Sequence, residues 1–106
     1  MFARSVSMQL KPNSVAEFTQ TLDKDVISLL RKQKGFKDEI TLVAQDGKEV
    51  IAISVWDLKE NADAYHRETY PEVLKVLARV VEGTPQVHTY NVGSSTLHQI
   101  AASATV

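Results

Sequence analysis

Val50-Ile51-Ala52-Ile53-Ser54-Val55-Trp56 is apolar at nearly every position. A strand with one wet face alternates apolar and polar residues, so this run reads as a strand covered on both sides. One layer of helices covers only one of them. Upstream, Phe36 to Gln45 carries Phe36, Ile40, Leu42 and Val43, and Asp46-Gly47 then predicts the two-residue, positive-φ turn that joins antiparallel strands. The two arms make a hairpin.

Outward from the hairpin, the pattern changes period. Phe2 to Leu10 alternates, with Phe2, Arg4, Val6, Met8 and Leu10 on one side, which predicts a first strand ended by Pro12. Ser14-Val15-Ala16-Glu17 reads as a capping box, and Val15, Phe18, Leu22, Val26, Leu29 and Leu30 follow as one apolar stripe of a helix that Gly35 closes. Downstream, Lys59 to Thr69 predicts a second helix with Ala62, Tyr65, His66 and Thr69 on one side. Tyr70-Pro71 interrupts it, because Pro has no amide to donate and restricts the residue before it. A further helix starts there with Pro71 in its first turn, and Val73, Leu74, Leu77, Val80 and Val81 form its core stripe up to Gly83. Pro85 to Val92 reads as a last strand.

This order predicts an α+β, ferredoxin-like βαββαβ domain over residues 1–92, with a four-stranded antiparallel sheet and helices on one face. The other face, apolar along the third strand, needs a partner, and a homodimer closing two sheet faces against each other supplies it. Size points the same way: a domain of 106 residues buries only some 60–70% of its unfolded surface, and dimerising recovers burial lost to a pocket. Residues 93–106, rich in Ser, Thr and Ala, read as an extension that packs on the partner subunit if it is ordered.

Composition excludes several classes of function. With 12 Lys+Arg against 13 Asp+Glu and no basic stripe, nothing attracts a phosphate backbone, so no nucleic-acid partner is expected. No apolar run reaches the ~20 residues that cross a bilayer, and Met1-Phe2-Ala3-Arg4-Ser5 does not begin a secretion signal. No membrane association is expected, and the expected location is cytoplasmic. Without Cys there are no thiolate nucleophiles, iron–sulfur clusters or common structural zinc sites. The four glycines are too scattered for a dinucleotide fingerprint or a P-loop, and no Ser sits in a GxSxG elbow. His66, His88 and His98 have no metal-ligand spacing, so neither a metal nor any other cofactor is expected.

The chain resembles the antibiotic biosynthesis monooxygenase-like (ABM) family of the dimeric α+β barrel superfamily. The resemblance covers about residues 2–92. It rests on the order of elements, on Gly35-Phe36 opening the second strand, on Ile53-Ser54-Val55-Trp56 ending the third, on Ala64-Tyr65-His66 in the following helix, and on a closing strand after Thr84-Pro85. It implies a pocket between the sheet and its helices, and oxygenation of aromatic polyketides, quinols or haem without flavin or a dedicated metal. In the haem-degrading branch, a Trp at the position of Trp56 and a His at the position of His66 line the haem pocket. The Asn that branch carries on the first strand is missing, since residues 4–8 read Arg-Ser-Val-Ser-Met, which counts against haem.

Four further side chains join His66 as candidates, each with a plainer reading beside the functional one. His66, four residues from Ala62 and from Tyr70, is the candidate base for a phenol or quinol, or else a histidine bonded at the helix surface. Trp56 is a wall of the pocket or a core anchor. Tyr65 and Tyr70 shape a site for a small aromatic ligand or cap the helix break, and Tyr65 and His66, about 100° apart on a helix, cannot both aim at its centre. Arg4, the one charge on the apolar side of the first strand, is an anion partner for a deprotonated substrate or a strand-end residue. The leading expectation is a cofactor-independent oxygenase. The alternative is a non-catalytic dimeric binding or stress-related module of the same fold.

Overall fold

The computed structural model describes residues 1–97, so most of the 93–106 extension, His98 included, lies outside the described residues. Strand β1 (Phe2–Leu10) leads into a helical rod of three parts, α1 (Val15–Thr21), a π-helical stretch (Leu22–Val26) and α2 (Ile27–Arg31). The hairpin β2 (Phe36–Val43) and β3 (Glu49–Trp56) follows, then α3 (Lys59–Glu68), α4 (Tyr70–Leu77) and β4 (Val81–Asn91). The four strands form one antiparallel sheet in the order β2-β3-β1-β4, the predicted ferredoxin-like arrangement.

The helices cover one face. Phe2, Val6, Met8 and Leu10 of β1 meet Phe18, Leu22, Val26 and Leu30 of the rod and Tyr65, Tyr70, Val73 and Leu77 of α3 and α4. Phe18 and Trp56 are wholly buried, each such side chain contributing on the order of 2–3 kcal/mol of transfer free energy. Phe18, Leu22, Val26 and Leu30 recur at four-residue steps, which in an α-helix drift by about 40° per step. The wider π turns over Leu22–Val26 remove part of that drift, so all four stay buried on the sheet side.

The third strand is apolar on both faces, as its sequence predicts, and only one is covered by the described residues. Ile40 pairs with Ile53 and Leu42 with Ile51 on the uncovered side, where Ile40 and Leu42 are 50% and 48% exposed. Ala3, paired with Tyr90, continues that face across β1 and β4.

Four local expectations are corrected. Ser14 makes no capping bond; its hydroxyl donates instead to the Pro12 carbonyl at 3.3 Å, and Glu17 is drawn to Arg79 at 2.7 Å. The hairpin turn spans Gln45–Lys48, closed by the Ala44 amide on the Glu49 carbonyl, with only Gly47 at positive φ. The rod stops at Arg31, short of Gly35. Helix α4 ends at Leu77, and β4 begins at Val81, a register shift between Ser7 and Gln9 absorbing the extra residues.

Gly35 instead fastens the hairpin to α3. Its φ is +82°, and a Cβ there would run into the side chains of Asp57 and Asn61. Its carbonyl accepts the Asp57 amide at 2.9 Å, while the Asp57 carboxylate accepts from the Leu58 amide at 2.6 Å and the Asn61 amide at 2.8 Å. The bond from Asn61 holds the Asp57 carboxyl below its ordinary range. This junction sets where α3, and so Tyr65 and His66, cross the sheet.

Candidate functional site

A cavity of about 40 Å³ lies between the sheet and the helices. Val6 and Met8 of β1 form its floor, Leu22, Val26 and Leu30 of the rod one wall, and Tyr65 and Tyr70 another. Leu22, from the apolar stripe of the rod, is both core and wall. The polar groups on this apolar lining are few, which makes each of them informative.

Arg4 is the first. Strand alternation turns it inward, and it is only 3% exposed. Its guanidinium carbon lies 5.0 Å from the Tyr65 ring centre and 4.6 Å from that of Tyr70, so two aromatic faces hold the cation. Among the described residues no carboxylate pairs with it. Burial pulls its proton affinity below the ordinary arginine value, and the two tyrosines and, more weakly, the Asp63 carboxylate oppose that shift. It remains charged, as arginine does in proteins. A buried cation with no ion-pair partner is costly to fold around. The strand-end reading of Arg4 is therefore set aside.

His66 stands beside it, though not on the cavity wall. The residue is exposed at the rim, its ring stacked on Tyr70 with centres 5.3 Å apart. Arg4 approaches His66 Nδ1 at 2.9 Å. A guanidinium has no acceptor, so Nδ1 must accept, and the proton of the neutral ring is assigned to Nε2. The expectation that His66 faces the sheet with Ala62 and Tyr65 is corrected: those two are buried, and His66 turns sideways to meet the arginine. Tyr65 takes the inward direction, so the two neighbours do diverge.

Tyr65 and Tyr70 line the cavity, and burial raises both phenols, Tyr65 up to about 12, against the opposing pull of Arg4. Both are neutral phenols at physiological pH. Trp56 lies behind Tyr65, with ring centres 5.1 Å apart and an edge-on contact to Phe36 at 5.7 Å. Its indole N–H donates to Ser54 Oγ at 2.9 Å. The structure gives it the core position and keeps it off the cavity wall.

Sequence reasoning missed two polar residues on the lining, Ser54 and Glu39. Ser54 was hidden inside an apolar run, where a lone hydroxyl in a buried strand is the only signal. Glu39 was hidden by a shift of register. Among the described residues no group of three or more His, Cys, Asp or Glu is placed to hold a metal, and no helix is long and apolar enough to cross a membrane.

No family model and no curated protein matches the sequence. Solved structures do match. SnoaB from Streptomyces nogalater, described as a cofactor-independent oxygenase, superposes with a TM-score of 0.74 at 13% identity, over 90% of this chain and 95% of that one. A "putative antibiotic biosynthesis monooxygenase" from Bordetella bronchiseptica gives 0.73 at 16% identity, over 86% and 95%. A protein of unknown function from Nitrosomonas europaea gives 0.73 at 12%, over 90% and 91%. At such identities the likeness is one of fold, and the fold is that of structures carrying the antibiotic biosynthesis monooxygenase name.

Proposed function

We propose that this chain is an ABM-like, cofactor-independent monooxygenase acting on a hydroxylated aromatic of the quinol type. The observation that carries the proposal is the buried, carboxylate-free guanidinium of Arg4 facing a small apolar cavity beside a histidine lone pair. The monooxygenase-named and oxygenase-named structural neighbours support the class of reaction.

The contact between Arg4 and His66 Nδ1 marks where a substrate hydroxyl inserts. The hydroxyl gives its proton to Nδ1, and Arg4 turns its N–H groups onto the oxyanion that remains. Tyr65 and Tyr70 hold the aromatic plane, while Trp56 fixes Tyr65 from behind. The electron-rich anion then passes an electron to O2, and a ring C–H becomes C=O while the phenol C–O becomes a second C=O, one oxygen atom entering the ring and the other leaving as water with the hydroxyl and ring hydrogens. The protein supplies a base, a counter-charge and a dry, oriented pocket.

Oxygen uptake with a panel of quinols and polycyclic phenols tests the proposal. Replacing His66 by Ala lowers kcat by about 100-fold or more, the usual contribution of a positioned base. An unchanged rate in His66→Ala sinks its role as base. Binding of these phenols without any oxygen uptake identifies a binding module in place of an enzyme.

We also infer a homodimer in which the uncovered sheet faces meet. Ile40, Leu42, Ile51, Ile53 and Val55 are contiguous in register on a face that none of the described helices covers, and a second copy covers them by two-fold symmetry. Sedimentation at micromolar concentration is expected to show a dimer, and Ile53→Glu a monomer. A monomeric unsubstituted protein rules the dimer out.

A further inference from the structure

The cavity carries a second charged side chain, on the same sheet face as Arg4 two strands away, and its orientation depends on an irregularity in β2. Phe36 pairs with Trp56, but the next pair is Asp38 with Val55, so the register slips by one residue. In a regular ladder Asp38 would oppose Ser54; after the slip Glu39 does. Ser54 and Arg4 are themselves partners, so Glu39, Ser54 and Arg4 form a row across β2, β3 and β1, all lining the cavity. Two strand spacings, about 10 Å, separate the outer backbones, with Ser54 between them.

Glu39 has one local hydrogen-bond partner and no cation. Thr41, two residues along on the same face, donates to its Oε2 at 2.6 Å, and no basic side chain pairs with it among the described residues. Partial burial pushes its carboxyl up, against the pull of the Thr41 bond. An otherwise apolar pocket thus holds a cation and a carboxyl at separate points that do not neutralise each other. Each lacks what a ligand with two polar ends supplies: an acidic oxygen for Arg4 and a hydrogen-bond donor for Glu39.

We propose that Glu39 is the specificity-determining residue of this site, accepting a hydrogen bond from a second hydroxyl on the substrate, and that the ligand is therefore an aromatic diol bound between Arg4 and Glu39. This rests on the phenol-binding reading of the Arg4 site and adds a second anchor to it. A one-hydroxyl aromatic satisfies Arg4 and offers the half-buried Glu39 carboxyl no donor beyond the one Thr41 already supplies.

Anaerobic titration calorimetry with 1-naphthol and 1,5-dihydroxynaphthalene tests it, since without oxygen neither probe turns over. The diol is expected to bind about tenfold more tightly than the mono-ol, the size of one charge-assisted hydrogen bond. Glu39→Leu should bring the diol to the affinity of the mono-ol without weakening the mono-ol, and Glu39→Gln, which keeps a carbonyl acceptor, should fall between. Circular dichroism checks that each variant is folded. Equal affinities in the unsubstituted protein, or a diol preference that survives Glu39→Leu, overturn the role of Glu39 and leave the Arg4 site standing. Failure of both probes to bind removes the two readings together.

Discussion

Arg4→Met is expected to abolish oxygenation while making the protein more stable. The cation is 3% exposed, no carboxylate forms an ion pair with it among the described residues, and its partners include the two tyrosines and one imidazole nitrogen, with Asp63 acting on it from farther off. Removing it takes away the counter-charge for the substrate oxyanion, a loss of at least about 100-fold in kcat/KM for an electrostatic group of this kind. It also relieves the unfolded chain of carrying an unneutralised charge into an apolar interior. Met fills a similar volume, and hydrophobic replacement of buried charge is commonly neutral or stabilising by about 1–4 kcal/mol. For a domain of this size each 1 kcal/mol is worth roughly 4–8 °C in Tm. Oxygen uptake and a thermal melt on the same preparation check both halves. A variant that loses activity and also melts at lower temperature identifies Arg4 as structural, held in place by its cation–π contacts.

Trp56→Ala is expected to be the most damaging single change to stability. The side chain is wholly buried and touches Phe36 and Tyr65, and its N–H satisfies Ser54 Oγ inside the sheet. Truncation leaves a large void, an unpaired hydroxyl and an unsupported Tyr65 ring, at a cost of about 3–5 kcal/mol. That is a large share of the 5–15 kcal/mol that holds a typical domain together. Urea unfolding measures it, and Trp56→Phe, which keeps the ring contacts but not the N–H, should lose roughly half as much. A Trp56→Ala loss below about 1 kcal/mol contradicts the core assignment, because only a residue lining an open pocket could be truncated so cheaply.

Much of the fold can be read in the chain because its signals are local. The alternation of Phe2 to Leu10, the apolar run to Trp56 and the Pro71 break each depend on neighbours a few residues away, and all three stand in the structure. The misplaced details are those decided at longer range. Ser14-Val15-Ala16-Glu17 has the spacing of a capping box, yet Arg79, far along the chain, takes the glutamate. The apolar stripe of the rod is visible, but a π-helical stretch is indistinguishable from an α-helix at four-residue spacing until the helix must follow a sheet.

The candidate site divides in the same way. Sequence alone determined that the domain is a four-stranded ferredoxin-like fold with an apolar third strand, because residue type and period are local signals, and together with the family resemblance they singled out Arg4, Trp56, Tyr65, His66 and Tyr70. Only the tertiary structure decided what those residues do for one another. It sent Trp56 to the core and turned His66 from the sheet onto Arg4. It buried Arg4 between two rings, and by a one-residue slip in β2 it brought Glu39 into the same cavity. Charge without a partner is a property of three-dimensional surroundings. The sequence counts nearly equal numbers of acids and bases, and only the fold shows which two face a cavity without meeting.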